Sequence, residues 1–303
     1  MSIKANEPER NFDDAGHAAL GSMSYPISRL ISRSFLWGEV GLRAAALFLT
    51  IFISFVVFAP IQWALLKAGP RFGHVLPQLF YSIVLWLVKV RVRVGGIKPK
   101  RIAALVVTNH VSWTDIPALG ALFPASFVAK SEVGRWPIIR TFARLVNTIF
   151  VDRTDRKTIP ATNAAILASI EAGEHVVLFP EATTHADGPQ PFHSSHFAVV
   201  EDLQKLGGNY AIQPIAIRYS APHAPWIGDD ALLPHVITLM KNPPVTCELI
   251  FCEPLRLDGS LSRRAVAQEC YDRIVTAYRD QASMSPRFLS KGSGEAERPR
   301  NDS

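Results

Sequence analysis

From Ala44 to Leu66 the chain runs for 23 residues without a charged side chain, bracketed by Arg43 and Lys67. As a helix that run would be ~35 Å long and would match a hydrocarbon core of ~30 Å. A buried core helix is the alternative, but its length and charged brackets favour a membrane span. A second apolar stretch, Phe72 to Val88, carries His74, Pro77, Gln78 and Ser82 and sits at the lower limit for spanning, so it reads as a shallow or interfacial helix. Only Lys67 to Arg71 separates the two, which makes them a helical hairpin whose ends lie on the same side of the membrane or within one leaflet. Arg29, Arg33 and Arg43 precede the pair, and Lys89, Arg91, Arg93, Lys98, Lys100 and Arg101 follow it. The positive-inside rule then puts both flanks in the cytosol, the inner face of the inner membrane if the cell is bacterial. Trp63 and Trp86 suit the interface. A secretory signal peptide is not expected, because the first 40 residues mix acids and bases and the apolar run is too long and comes too late.

Past the hairpin, strand and helix signals alternate, which points to an α/β domain with a mostly parallel sheet flanked by helices. Val90 to Val94 alternates as a strand and Gly95-Gly96 reads as a turn; Ile102 to Thr108 is a short, apolar, β-branched strand. Further strands are expected at Ser126 to Ala129, Thr148 to Val151, His175 to Phe179, Tyr210 to Tyr219 and Val245 to Phe251. Helices are expected over Pro137 to Leu145 and Ile159 to Ala172, the latter with Pro160 in its first turn and Gly173 beyond its end. The organisation is a polar segment over 1–40, the membrane-associated pair over 41–89, one domain over 90–282 and a polar tail over 283–303.

In a sheet of this kind ligands bind where strands end and loops begin, and three strand ends carry suitable groups. Asn109-His110-Val111-Ser112-Trp113-Thr114-Asp115 follows the first buried strand. On one continuous helix residues five apart would diverge by about 140°, so the segment should turn, with Thr114 to Pro117 supplying the cap and first turn of a helix. Asp115 can then reach back to one imidazole nitrogen of His110, fixing its tautomer and leaving the other to take a proton from an alcohol. A His and an Asp at this spacing are more often a hydrogen-bonded histidine and a capping carboxylate, so the pair needs company. The second end is Asp152-Arg153, whose guanidinium fork suits a phosphate or carboxylate. The third is Pro180-Glu181-Ala182-Thr183-Thr184, with a carboxylate, hydroxyls and backbone amides.

Other classes are excluded or disfavoured. The net charge of +6 suits an anionic membrane or acidic substrates, with no basic run dense enough for nucleic acid. Cys247, Cys252 and Cys270 have no Cys-x-x-Cys spacing and indicate neither a zinc site nor a disulfide framework. His193 and His196 lack a carboxylate or third ligand at metal spacing. There is no Gly-x-Ser-x-Gly elbow and no Walker or Rossmann glycine pattern, against a serine hydrolase, a nucleotidase or a dehydrogenase.

Taken in order, from about Val90 to Pro254, these residues resemble the glycerolipid acyltransferases typified by 1-acylglycerol-3-phosphate acyltransferase. Asn109 to Asp115 is similar to the family's Asn-His-x-x-x-x-Asp block and Thr148 to Arg153 to its second. Phe179-Pro180-Glu181-Ala182-Thr183 resembles Phe-Pro-Glu-Gly-Thr, and Ile212 to Ile217 the apolar fourth block. The resemblance implies that His110 is the general base and Asp115 its orienting partner. Arg153 would bind an acceptor phosphate, Lys130 would lie near the head group, and Glu181 and Thr183 would shape the acceptor site, with amides near Ala182 available to an oxyanion. It implies acyl transfer from acyl-CoA or acyl carrier protein to a lysophospholipid in a lipid bilayer, with no cofactor, no metal and no nucleic acid. The acceptor implied first is 1-acylglycerol-3-phosphate.

Three positions depart from the family pattern. Asn147 and Ala182 stand where glycine is usual, and Thr184 stands where many members carry Arg, which removes one phosphate-binding charge. A related branch acylates lyso-ornithine lipid, which has no phosphate, and Thr183 to Ser195 is compatible with it. Two other readings stay open: a membrane-anchored hydrolase with Ser112 or a water as nucleophile, and a non-catalytic lipid-binding protein.

Overall fold

The computed structural model describes residues 25–68, 75–97, 104–130, 143, 148–151, 158–206 and 210–284. Arg153, Asn147 and most of the helix expected over Pro137 to Leu145 lie outside these residues, as do most of the polar ends.

Strands that are apolar on every residue fold best when covered on both faces, and the chain meets that demand with helices above and below one eight-stranded sheet. Its strands are β1 (Val90–Gly96), β2 (Leu105–Thr108), β3 (Ala125–Lys130), β4 (Ile149–Val151), β5 (His175–Leu178), β6 (Ala211–Tyr219), β7 (Val245–Phe251) and the short β8 (Leu255–Arg256). They lie in the order β1-β7-β6-β2-β5-β3-β4, with β8 beside β6. Pairing is parallel except where β6 meets β7 and β8. The sheet is therefore mixed but mostly parallel, as the alternation of strands and helices predicts.

Side chains alternate cleanly between the faces. On one, Val106, Val177, Ile215, Ile217 and Leu249 pack with helices α3 (Val75–Leu87), α4 (Asp115–Leu122) and α7 (Leu232–Lys241). On the other, Leu105, Val107, Val176, Leu178 and Ile212 pack with α5 (Ile159–Glu171), α6 (Ala198–Lys205) and α8 (Arg263–Met284). Gly95 and Gly96 do not turn out of the sheet as the sequence suggests. They complete β1, pairing with Ile250 and Phe251. Gly96 has φ +75°, and a Cβ there would meet the Phe251 carbonyl oxygen at 2.2 Å.

The first apolar run forms a longer helix than its uncharged stretch implies: α1 (Tyr25–Ile53), a π turn at Ser54–Phe58, and α2 (Ala59–Ala68). The π turn has a local cause. Pro60 has no N–H to donate and its ring crowds the carbonyl four residues back, so a wider turn just ahead of it relieves the ladder, and Ala59 N–H bonds to Ser54 O. Leu36–Gln62, 27 residues, is long and apolar enough to cross a membrane and is almost wholly unburied. Phe48, Leu49, Phe52, Val56 and Ile61 are all exposed, a surface suited to lipid rather than water.

The lower end of this helix is stapled to the domain. Glu39 accepts Arg43 Nε at 2.8 Å and Lys89 Nζ at 2.9 Å. Arg43 Nη1 donates to the Trp86 and Leu87 carbonyls that end α3. Lys241 Nζ sits 3.7 Å over the Trp37 ring. Helix α3 has two faces. Val84, Leu85 and Leu87 are buried in the domain, while Val75, Leu79 and Trp86 are exposed. The segment grouped with the membrane pair thus also forms part of the domain wall.

The close approach of α3 to α4 depends on Gly120, where a Cβ would lie 2.4 Å from the Tyr81 ring. Gly120→Ala should therefore force α3 outward and destabilise the protein by about 1–3 kcal/mol, the usual cost of overpacking. A thermal melt in detergent measures this, and an unchanged midpoint would show that α3 does not depend on that contact.

Candidate active site

Strand β2 is fully buried, so its end is a rigid platform. The next residue, Asn109, extends the ladder with its side chain: Nδ2 donates to Ile217 O at 3.0 Å and Oδ1 accepts Ile217 N–H at 2.7 Å. The backbone is thereby released to turn at His110 while still anchored to β6.

The turn closes on Asp115, the first residue of α4, which is fully buried. Its Oδ2 lies 2.7 Å from His110 Nδ1 and accepts the Val111 and Ser112 N–H groups at 2.7 and 3.0 Å. Its Oδ1 accepts the Tyr219 hydroxyl at 2.7 Å. Thr114 stands at the cap position, but its side chain makes no cap bond and instead pairs with Tyr219 Oη at 2.7 Å. With Nδ1 committed to Asp115, Nε2 is the nitrogen of His110 left to exchange a proton. The His110 side chain is 18% exposed.

The segment after β5 clasps His110 from several directions. Phe179 stacks on its ring at 4.1 Å. His110 N–H donates to Glu181 Oε2 at 2.7 Å, and His110 O accepts His185 N–H at 2.9 Å. Glu181 is buried, and its other oxygen accepts Gln190 N–H at 2.7 Å. Its carboxyl titrates near 7, because burial outweighs the two amides that stabilise its charge. Glu181 therefore braces the backbone of His110 and the returning loop.

Ala182 occupies the left-handed region at φ +70°, a conformation glycine adopts without strain. Its own N–H bonds to Phe179 O at 3.2 Å, which closes the turn. Ala182 and Thr183 are exposed on the turn. Thr184 points inward and donates to the Trp226 carbonyl, while Trp226 N–H bonds to Val111 O at 3.0 Å. Lys130 ends β3 at the same edge of the sheet as the ends of β2 and β5. β4 ends there too, two residues before Arg153. Ser112 is fully buried, with its N–H on Asp115 and its Oγ beside Thr114 N–H. His193 and His196 meet edge to face at 5.9 Å, and His196 Nδ1 lies 3.1 Å from Pro180 O. Next to the His110 loop a shallow groove is lined by Val111, Ala186, Tyr219, Ser220, Pro222 and Tyr278.

Tyr219 is the residue that sequence reasoning missed. Its only signal there is a hydroxyl-bearing aromatic at the end of an otherwise apolar strand, 104 positions from the carboxylate it touches.

The chain is similar to known proteins along much of its length. The acyltransferase family model matches residues 89–218. A lyso-ornithine lipid O-acyltransferase of Brucella abortus is 35% identical over 231 residues, covering 71% of this chain and 86% of that protein. One from Rhizobium meliloti is 32% identical over 252 residues, covering 78% and 86%. A 1-acyl-sn-glycerol-3-phosphate acyltransferase of Neisseria gonorrhoeae is 35% identical over 116 residues, 38% of this chain and 44% of that one. The crystal structure of the 1-acyl-sn-glycerophosphate acyltransferase PlsC from Thermotoga maritima shares the fold. Its TM-score is 0.54 at 19% identity, over 86% of this chain and 100% of that one. The chain belongs to the acyltransferase family. By class it is an O-acyltransferase.

Two stability predictions follow from the clasp. An L-residue in the left-handed region costs roughly 1–2 kcal/mol and glycine gives back roughly 0.5–1 in chain entropy, so Ala182→Gly should stabilise by roughly 0.5–1 kcal/mol in denaturant titration. The raised Glu181 carboxyl binds a proton more tightly in the folded chain. Its stabilising contribution is complete below pH 4.5 and is lost as pH rises to about 7. The size is on the order of 3 kcal/mol, and Glu181→Gln should remove that slope from a plot of stability against pH. If the slope persists in the variant, another group carries it.

Proposed function

We propose that the protein moves a fatty acyl group from an acyl thioester, on coenzyme A or acyl carrier protein, to the free hydroxyl of a lyso-lipid at a membrane surface. The observation that carries this reading is the His110–Asp115 pair, with Nδ1 held at 2.7 Å and the ring kept partly open. His110 Nε2 takes the acceptor's hydroxyl proton as the oxygen attacks the thioester carbonyl. The tetrahedral oxyanion then collapses, the carbon–sulfur bond breaks, and the imidazolium returns its proton to the departing thiolate. Ester and free thiol are the products, and the enzyme ends as it began.

Lyso-ornithine lipid is the acceptor we favour. Similarity runs along most of the chain with enzymes named for that substrate. Thr184, where an arginine would add a phosphate-binding charge, is neutral and turned inward onto Trp226. Lysophosphatidic acid is the second reading, supported by Arg153 in the sequence and by the match to the Neisseria enzyme over 116 residues. Burial of Ser112 argues against its use as a hydrolase nucleophile.

The exposed apolar face of Leu36–Gln62 enters the bilayer. Helix α3 has 13 residues, ~20 Å, and cannot alone cross ~30 Å of hydrocarbon. Its C-terminal end is tied to Arg43, so the pair enters and leaves on the same side. The basic flanks support a cytoplasmic position for that side and for the active site, by the positive-inside rule.

The test is purified protein with each lyso-lipid and a labelled acyl thioester. Ester should form on lyso-ornithine lipid in preference to lysophosphatidic acid, and His110→Ala should lower the rate at least about 100-fold, as expected for loss of a general base. Preference for lysophosphatidic acid would overturn the acceptor, and release of free fatty acid would overturn transfer.

A further inference from the structure

We propose that Tyr219 is a positioning residue for acyl transfer: its hydroxyl, donated to Asp115, sets the plane of the carboxylate and limits how tightly the carboxylate holds a proton on His110. This rests on the reading of His110 as the base.

Asp115 Oδ2 is held by three groups of one short segment, the His110 ring and the Val111 and Ser112 amides. These donors move together with the loop, and bonds to a single oxygen leave the carboxylate free to pivot about it. The second oxygen has, among the described residues, one donor, Tyr219 at 2.7 Å, and it comes from a different part of the fold. Tyr219 is the last residue of β6 and is paired with Cys247 of β7, so its ring is carried by the centre of the sheet. Its single proton goes to Asp115, which leaves Thr114 Oγ1 to donate to the phenolic oxygen at 2.7 Å. Thr114 thereby orients the phenol from the other side. Burial and the nearby Asp115 charge push the phenol well above its ordinary range, so it stays a donor at any working pH.

The electrostatic consequence has a definite sign. A donor to Asp115 spreads the carboxylate's charge, and removing it strengthens the attraction between carboxylate and imidazolium. The His–Asp dyad as a whole then takes up its proton at higher pH, and the base is blocked over part of the range in which it must be free. Two other ionisable groups sense the site, Glu181 through the Asp115 charge and Cys247 beside Tyr219. Burial keeps the Cys247 thiol protonated. Glu181 receives its own hydrogen bonds from His110 and Gln190, neither of which changes when Tyr219 loses its oxygen.

Tyr219→Phe keeps the ring and removes only the hydroxyl. In the acyl-transfer assay, kcat should fall about 10–100-fold, as for loss of a bond to a charged group. KM for the lyso-lipid should stay within about two-fold, and the acid limb of the rate profile should move up by roughly half to one pH unit. Thr114→Val should move the limb the same way by less, and it carries the test if Tyr219→Phe fails to fold. An acid limb unmoved in the folded variant, whether kcat is retained or lost, overturns the proposal. His110→Ala run alongside separates the two readings: its retained activity would refute the base itself, whereas its loss beside a wild-type profile for Tyr219→Phe would refute only the role of Tyr219.

Discussion

A carboxylate withdrawn from water must collect its hydrogen bonds from protein, or its burial costs several kcal/mol. Asp115 is fully buried and collects four. Much of the surrounding architecture follows from that requirement. The chain after β2 has to turn so that two consecutive amides face one oxygen. Helix α4 has to begin at the carboxylate itself, and β6 has to run long enough for Tyr219 to reach the other oxygen. The imidazole of His110 is the fourth donor, so the proposed base is also part of the solution to a burial problem. Its tautomer and orientation come as by-products of satisfying Asp115.

The same economy links the site to its surroundings through contacts that can be followed residue by residue. Trp113, in the catalytic turn, donates to His235 Nδ1 on α7 at 3.0 Å, and His235 Nε2 lies 3.0 Å from Pro225 O. Helix α7 carries Lys241 to the Trp37 ring of the membrane-facing helix. The exposed apolar helix and the His110 turn are thus joined through one packed helix. A substrate whose tail stays in the bilayer needs its head group delivered to a fixed place relative to the membrane, and this path of packed groups provides a rigid reference for it.

The clasp on His110 also shows how a sequence departure is absorbed. At the position where the resemblance leads one to expect glycine, Ala182 accepts a left-handed backbone. Where it leads one to expect arginine, Thr184 turns into the protein and binds a carbonyl. The first change alters strain without altering shape. The second puts a neutral tie between two loops where a cation would have stood.

Much of the fold was legible because it rests on local pattern. Uncharged length marked the helix that leaves the domain, β-branched apolar runs marked the buried strands, and their alternation with helices marked a mostly parallel sheet. The pairing of His110 with Asp115 was legible too, since a five-residue separation that cannot share a helix face must close through a turn. Local pattern misread Gly95-Gly96, whose place in β1 depends on a partner strand about 150 residues away, and Thr114, whose hydroxyl prefers Tyr219 to its own helix. Only tertiary structure could bring Tyr219 to Asp115, bury Glu181 as a brace under the His110 backbone, and commit the Ala182 amide. Each of these is a contact between segments joined by the sheet, and a hydrogen bond across tens of residues leaves no periodicity in the chain that makes it.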